Sequence, residues 1–225
     1  MRAFLNTIIN LLKWPVALVF LWFLPGFAAT FFEAWLRLGQ ASRRTWPLWV
    51  AAGVFVFLYR QLWRQSKLLQ YLWTFEHELT HAIFAWLTGH RVTKFRVRAG
   101  TGVVNYQGPG NWLIRVAPYF FPLMLLGVLA TLLILGRTLH PVGLAVLGVA
   151  FASTILHMIQ EFHPGQPDLH DVSLPFAWFF VPASNFATWG LFLLFVLHGR
   201  AGASVWWKTT VHYNRAFWAL LGITF

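Results

Sequence analysis

Long apolar runs separated by short basic connections restrict this chain to one setting, a lipid bilayer. The runs are Trp14–Phe32, Trp46–Tyr59, Leu68–Leu87, Trp112–Leu135, Val142–Ile159 and Val172–Leu197. About 20 apolar residues suffice to cross the hydrocarbon core as a helix. Hydrocarbon offers no hydrogen-bond partners, so a spanning segment must satisfy its own backbone, as a helix does. The expected fold is therefore an all-α polytopic membrane protein with about six transmembrane helices, forming one membrane domain over residues 1–225. Composition agrees: 58% of the residues are hydrophobic and 10% charged, where a soluble domain carries about 25% charge. The 14 Trp and 23 Phe suit lipid-facing and interfacial surfaces. The net charge of +11 comes from Lys and Arg in the connections, where lipid headgroups lie. No basic block is interleaved with aromatics in the manner of a nucleic-acid-binding face, so the expected partner is the bilayer and not nucleic acid. With no cysteine, disulfides and thiolate metal sites are excluded.

One apolar run breaks the pattern. Thr74-Phe75-Glu76-His77-Glu78-Leu79-Thr80-His81-Ala82 places four ionisable residues in the motif helix, about residues 68–88. Ionisable groups in a membrane helix are costly and mark functional sites. His77 and His81, four apart, lie on one face one turn from each other and can share a metal ion. Glu78, next to a ligand, can reach water at that ion without coordinating it. The chain has only six carboxylates, and five of them (Glu76, Glu78, Glu161, Asp168, Asp171) fall either in this helix or in residues 161–171. Two histidines leave a tetrahedral metal one protein ligand short, and the 161–171 stretch holds the residue types to supply it. The simpler reading of that stretch is a polar loop whose Asp168 or Asp171 caps the last helix.

Elsewhere the sequence supplies surroundings. Gly26-Phe27-Ala28 has the form of a signal-cleavage site, but the apolar run continues past it, so a retained anchor kinked at Pro25-Gly26 is expected. Residues 91–107 are rich in β-formers around Ala99-Gly100-Thr101-Gly102 and predict a small β-hairpin after the motif helix. It reads first as a solvated connector; as a functional element it is a strand edge able to hold an extended peptide. Pro118 and Pro122 interrupt the next run and leave carbonyls in need of partners. The tail from 199 to 225, with Trp206, Trp207, Tyr213 and Trp218 among cations, is expected at the interface.

The His77-Glu78-x-x-His81 motif in a membrane helix, the β-prone connector, the proline-bearing span and the late Pro167-Asp168 together resemble the site-2 protease family of intramembrane zinc metalloproteases. The resemblance implies one Zn2+ held by His77, His81 and Asp168, with Glu78 activating water. Asp168 is aligned through His163-Pro164-Gly165-Gln166-Pro167-Asp168, although the family's usual Asn-Pro and Leu-Asp-Gly are absent; Asp171 is the alternative ligand. His163 and His170 come next. The implied activity is an endopeptidase cutting a membrane-protein substrate in or near its transmembrane segment, in an integral, multi-pass enzyme. The alternative is a non-catalytic metal-binding chaperone or assembly factor on the same fold, which would have no need of the intact Glu78. A di-metal hydroxylase or desaturase would need several His-rich clusters, and the other histidines here are scattered.

Overall fold

A computed structural model describes residues 2–224. It is mostly helical: α1 (Arg2–Leu11), α2 (Lys13–Gln40), α3 (Ser42–Leu58), α4 (Lys67–Leu87), strands β1 (Val92–Arg98) and β2 (Thr101–Tyr106), then α5 (Trp112–Val116), α6 (Leu123–Ile134), α7 (Pro141–Glu161), α8 (Pro167–Asp171), α9 (Leu174–His198) and α10 (Gly202–Leu220). Three helical stretches are long and apolar enough to cross a membrane: Phe4–Gln40, Pro141–Glu161 and Leu174–Leu220. A bent pair, Trp112–Tyr119 with Leu123–Ile134, makes a fourth if counted as one broken span. The six expected from sequence also include α3, which has only 17 residues, and α4, which carries Glu76, His77, Glu78 and His81.

Ring contacts give the direction of the long helices. Trp14, Phe20 and Phe31 of α2 meet Phe176, Phe180 and Trp189 of α9 in ascending order, so these two run parallel. Phe27 and Trp22 meet Trp206 and Trp218 in the opposite sense, so α10 returns antiparallel along α2. The chain reverses at Gly199, whose φ of 57° suits a residue without a Cβ. At Gly26, an added Cβ would strike the Thr210 carbonyl, which shows how closely α2 and α10 approach. α3 and α7 pack equally closely, with Gly148 against the Leu48 backbone. Around this contact Leu48, Leu125, Leu144, Leu147, Phe151 and Phe192 form the larger of two buried clusters.

The smaller elements follow local chemistry. α4 starts where Ser66 accepts a hydrogen bond from the Leu69 N–H and stops at Gly89 (φ 79°). The hairpin expected over 91–107 is present as an antiparallel pair with Arg98 opposite Thr101 and a turn at Ala99-Gly100, Gly100 having φ 75°. Pro118 and Pro122 break their span: the two halves meet at 71°. The freed groups find partners. The Tyr119 carbonyl accepts from Asn185 Nδ2 at 2.8 Å, and the Met124 N–H, in the first turn of α6, donates to Glu76 Oε1 at 2.9 Å. Glu76 is thus a side-chain cap on a helix N-terminus, accepting one of the N–H groups that the first turn leaves unpaired.

A buried polar chain ties α1 to this region. Asn111 Nδ2 donates to Asn6 Oδ1 at 2.9 Å, Asn6 Nδ2 to His90 Nε2 at 2.8 Å, and His90 Nδ1 lies 3.0 Å from the Thr88 hydroxyl. Because Asn6 Nδ2 can only donate, His90 carries its proton on Nδ1.

The close approach of α3 and α7 leads to a prediction. Gly148→Val should destabilise the protein by about 1–3 kcal/mol through overpacking, seen as a lower Tm in detergent. Gly53→Ala, where nothing lies within 4 Å of an added Cβ, should leave Tm unchanged or raise it.

Candidate metal centre

His77 and His81 leave α4 on one face, as their spacing requires. Their Nε2 atoms are 3.2 Å apart. Asp168 Oδ2 comes to 3.2 Å from His81 Nε2 and 3.8 Å from His77 Nε2. Metal–ligand bonds of about 2.0–2.1 Å at tetrahedral angles put ligand atoms about 3.3 Å apart, so the three atoms have the separations a small divalent ion requires. The donor set, two imidazoles and a carboxylate, suits zinc.

The tautomer also fits. His81 Nδ1 donates to the Ile114 carbonyl at 2.7 Å, which leaves the Nε2 lone pair of a neutral ring free for a metal. That carbonyl is available for a reason readable in the sequence. In a continuing helix it would accept from residue 118, and Pro118 has no N–H. The proline that breaks the span therefore releases the acceptor that orients a histidine on another helix.

Asp168 is aimed by its short helix. Leu169 is 1% exposed and anchors α8 in the second buried cluster with Val172 and Phe176. Asp168, one residue earlier, faces the histidines. Asp171 instead forms an ion pair with Arg115. His170 Nε2 bonds the Pro164 carbonyl at 2.5 Å, and His163 Nδ1 accepts from the Gly165 N–H at 3.1 Å, so both of these histidines serve their own loop. Burial alone would raise the Asp168 carboxyl, but the two imidazoles beside it outweigh burial and hold the group well below the usual carboxylate range. That favours the carboxylate form, the form able to coordinate a cation.

These residues line a cavity of about 660 Å³ bounded by α4, β2, α7 and α8. Glu78 lies in its wall, 9% exposed, directly beneath β2: an added Cβ at Gly102 would collide with its carboxylate. The hairpin therefore roofs the general-base candidate and is more than a connector. α7 contributes two groups that sequence reasoning did not select, His157 and Glu161. A His77 nitrogen, a His157 nitrogen and a Glu161 oxygen all lie within 4.8 Å of one another. The signal was present in the i, i+4 spacing of His157 and Glu161 at the end of a span.

A family model described as Peptidase M50B-like matches residues 47–164. The match covers most of α3, the motif helix, the hairpin, the broken span and α7, and ends four residues before Asp168. No curated protein and no solved structure matches the chain.

Two predictions follow from this geometry. Asp168→Asn should weaken zinc binding by more than about tenfold, while Asp171→Asn leaves it within about twofold, measured by equilibrium dialysis and atomic absorption. Pro118→Ala should restore an N–H that competes for the Ile114 carbonyl, lowering zinc affinity by about 10-fold, the order of an outer-shell loss. Unchanged affinity in Pro118→Ala would dissociate the proline from the site.

Proposed function

Because the chain belongs to the Peptidase M50B-like family, within the site-2 protease group, we propose that it is a zinc-dependent intramembrane endopeptidase. Its substrates on this reading are membrane proteins, cut in or near a transmembrane segment. The observation that carries the proposal is the convergence of His77, His81 and Asp168 at metal-ligand separations in the cavity that Glu78 lines. On this reading α3 and α4 complete six membrane spans, with Trp73, Glu76, Thr80 and Ala85 of α4 turned to the protein interior. We take α10 as embedded beside α2, against which it packs.

When bound, zinc supplies Lewis acidity, polarising a carbonyl and lowering the pKa of water toward about 7. The chain's own residues do the rest. His81, fixed by Ile114, and His77 set the place of the ion, and Asp168 supplies the negative charge that offsets it. Glu78 takes the proton from the attacking water and delivers it to the departing amine nitrogen as the C–N bond breaks. A transmembrane helix hides its carbonyls, so the substrate must unwind before cleavage. β2 suits the unwound segment: Thr101 to Val104 line the cavity, and a two-stranded sheet leaves one edge of each strand unpaired. Substrate backbone could add to β2 as a further strand, with its scissile bond carried toward Glu78.

Glu78→Gln tests the reading. Reconstituted in liposomes with a panel of single-span peptides, it should keep one equivalent of zinc and lose about 10²–10⁴-fold in kcat, the usual contribution of a general base. Cleavage at the wild-type rate in Glu78→Gln, or in chelated wild type, would sink the peptidase reading and favour a non-catalytic chaperone or assembly factor.

A further inference from the structure

His157 is a group in the cavity that the mechanism above does not use. It lies four residues before the end of α7 and is 8% exposed. Its ring is held flat against Trp73, with centroids 5.2 Å apart and an interplanar angle of 11°. Trp73 is itself fixed, because its Nε1 donates at 2.8 Å to Ser153 Oγ, one turn before His157 on the same helix. The imidazole is thus clamped in one orientation between α4 and α7.

Its nitrogens have nothing to do within the protein. Among the described residues His157 makes no hydrogen bond, and Glu161 Oε1 stands 3.9 Å from Nε2, beyond hydrogen-bond distance. His157 lines the cavity and is not among the sealed, unsatisfied atoms, so its ring is accessible.

Several other donors lining the cavity are engaged, and the Thr101 and Tyr106 hydroxyls belong to β2. Thr74 donates to the Gln70 carbonyl, Gln166 Nε2 to Glu161 Oε2 at 2.7 Å, Arg115 is paired with Asp171, and His81 Nδ1 serves Ile114. Tyr119 packs its ring against His77 but does not line the cavity. His157 is also misplaced to be a fourth ligand. It groups with His77 and Glu161 within 4.8 Å, whereas His81 and Asp168 do not join that group. It stands one step to the side of the place the three ligands define.

We propose that His157 is a catalytic residue whose imidazole N–H donates a hydrogen bond to the oxyanion of the tetrahedral intermediate. This rests on the peptidase reading and adds a residue to it. As water oxygen bonds to the scissile carbon, the carbonyl π pair moves onto oxygen, and that oxygen accepts from His157. When the C–N bond breaks, the pair returns to re-form the carbonyl, and the nitrogen leaves with the proton carried by Glu78. A preorganised donor of this kind acts where charge develops, so it stabilises the transition state more than the bound substrate.

The test compares His157→Phe, which keeps a ring against Trp73, with His157→Gln, which restores an N–H donor. In the same liposome assay His157→Phe should lose about 10²–10³-fold in kcat with KM within about twofold, and His157→Gln should recover at least about tenfold of that loss. Zinc content should stay at one equivalent, and the visible spectrum of the cobalt-substituted protein should match wild type. A phosphinic peptide, a stable mimic of the tetrahedral intermediate, should bind His157→Phe more weakly by a factor similar to the loss in kcat, measured by calorimetry. Loss of zinc or an altered cobalt spectrum in His157→Gln would make the residue a ligand and overturn the proposal. A raised KM with unchanged kcat would do the same, as would no rescue by Gln. If Glu78→Gln is inactive while both His157 variants cleave normally, this inference falls and the peptidase reading stands; if Glu78→Gln cleaves normally, the reading itself has failed.

Discussion

The architecture depends on one electrostatic demand, that four ionisable side chains on an apolar helix must each find a partner where water is scarce. Leaving a charge unpaired in such a place costs far more than any single packing contact gains. Each side chain of α4 is answered by a different element. Glu76 is met by the first turn of α6, His81 by the Ile114 carbonyl, and both histidines by Asp168 from α8, while Glu78 packs under β2 and faces the cavity. The remaining helices hold those elements at the right heights. The close α3–α7 and α2–α10 contacts, made through Gly148 and Gly26, are the rigid frame.

The broken span shows how a defect in secondary structure becomes a functional part. Prolines at 118 and 122 remove two N–H donors and turn the chain by 71°. In hydrocarbon the exposed backbone groups would be prohibitive; here they become attachment points. One carbonyl orients His81, another accepts from Asn185, and a freed N–H secures Glu76. Irregular backbone at membrane depth persists where it is buried in protein or lines a polar cavity, and this segment is buried in protein beside the His77–His81–Asp168 cluster.

The cavity has two walls of different chemistry. On the side of β2, small residues leave backbone exposed and place it against Glu78, a setting suited to an extended peptide. On the side of α7 and α8, His157, Glu161 and Asp168 are fixed by stacking, by Gln166 and by the histidine pair. A reacting carbonyl brought in along the strand would be flanked by a proton acceptor on one side and a hydrogen-bond donor on the other.

The sequence by itself determined the membrane class, the motif helix to within a residue at each end, the hairpin and the peptidase family. Those features are local: hydrophobic run length, an i, i+4 pair and β-formers around a Gly turn are each written in consecutive residues. It also narrowed the candidates for a third ligand to Asp168 and Asp171, but spacing alone cannot choose between two carboxylates in one loop. The fold separates them physically, since Leu169 turns α8 so that Asp168 faces the histidines while Arg115 engages Asp171. Glu76 as a helix cap, the Asn6–His90–Asn111 chain and the place of His157 were decided by tertiary structure. Each depends on partners 48 to 105 residues away or on another helix. Spacing along one helix can bring two side chains together; which third group meets them is settled only when the helices pack.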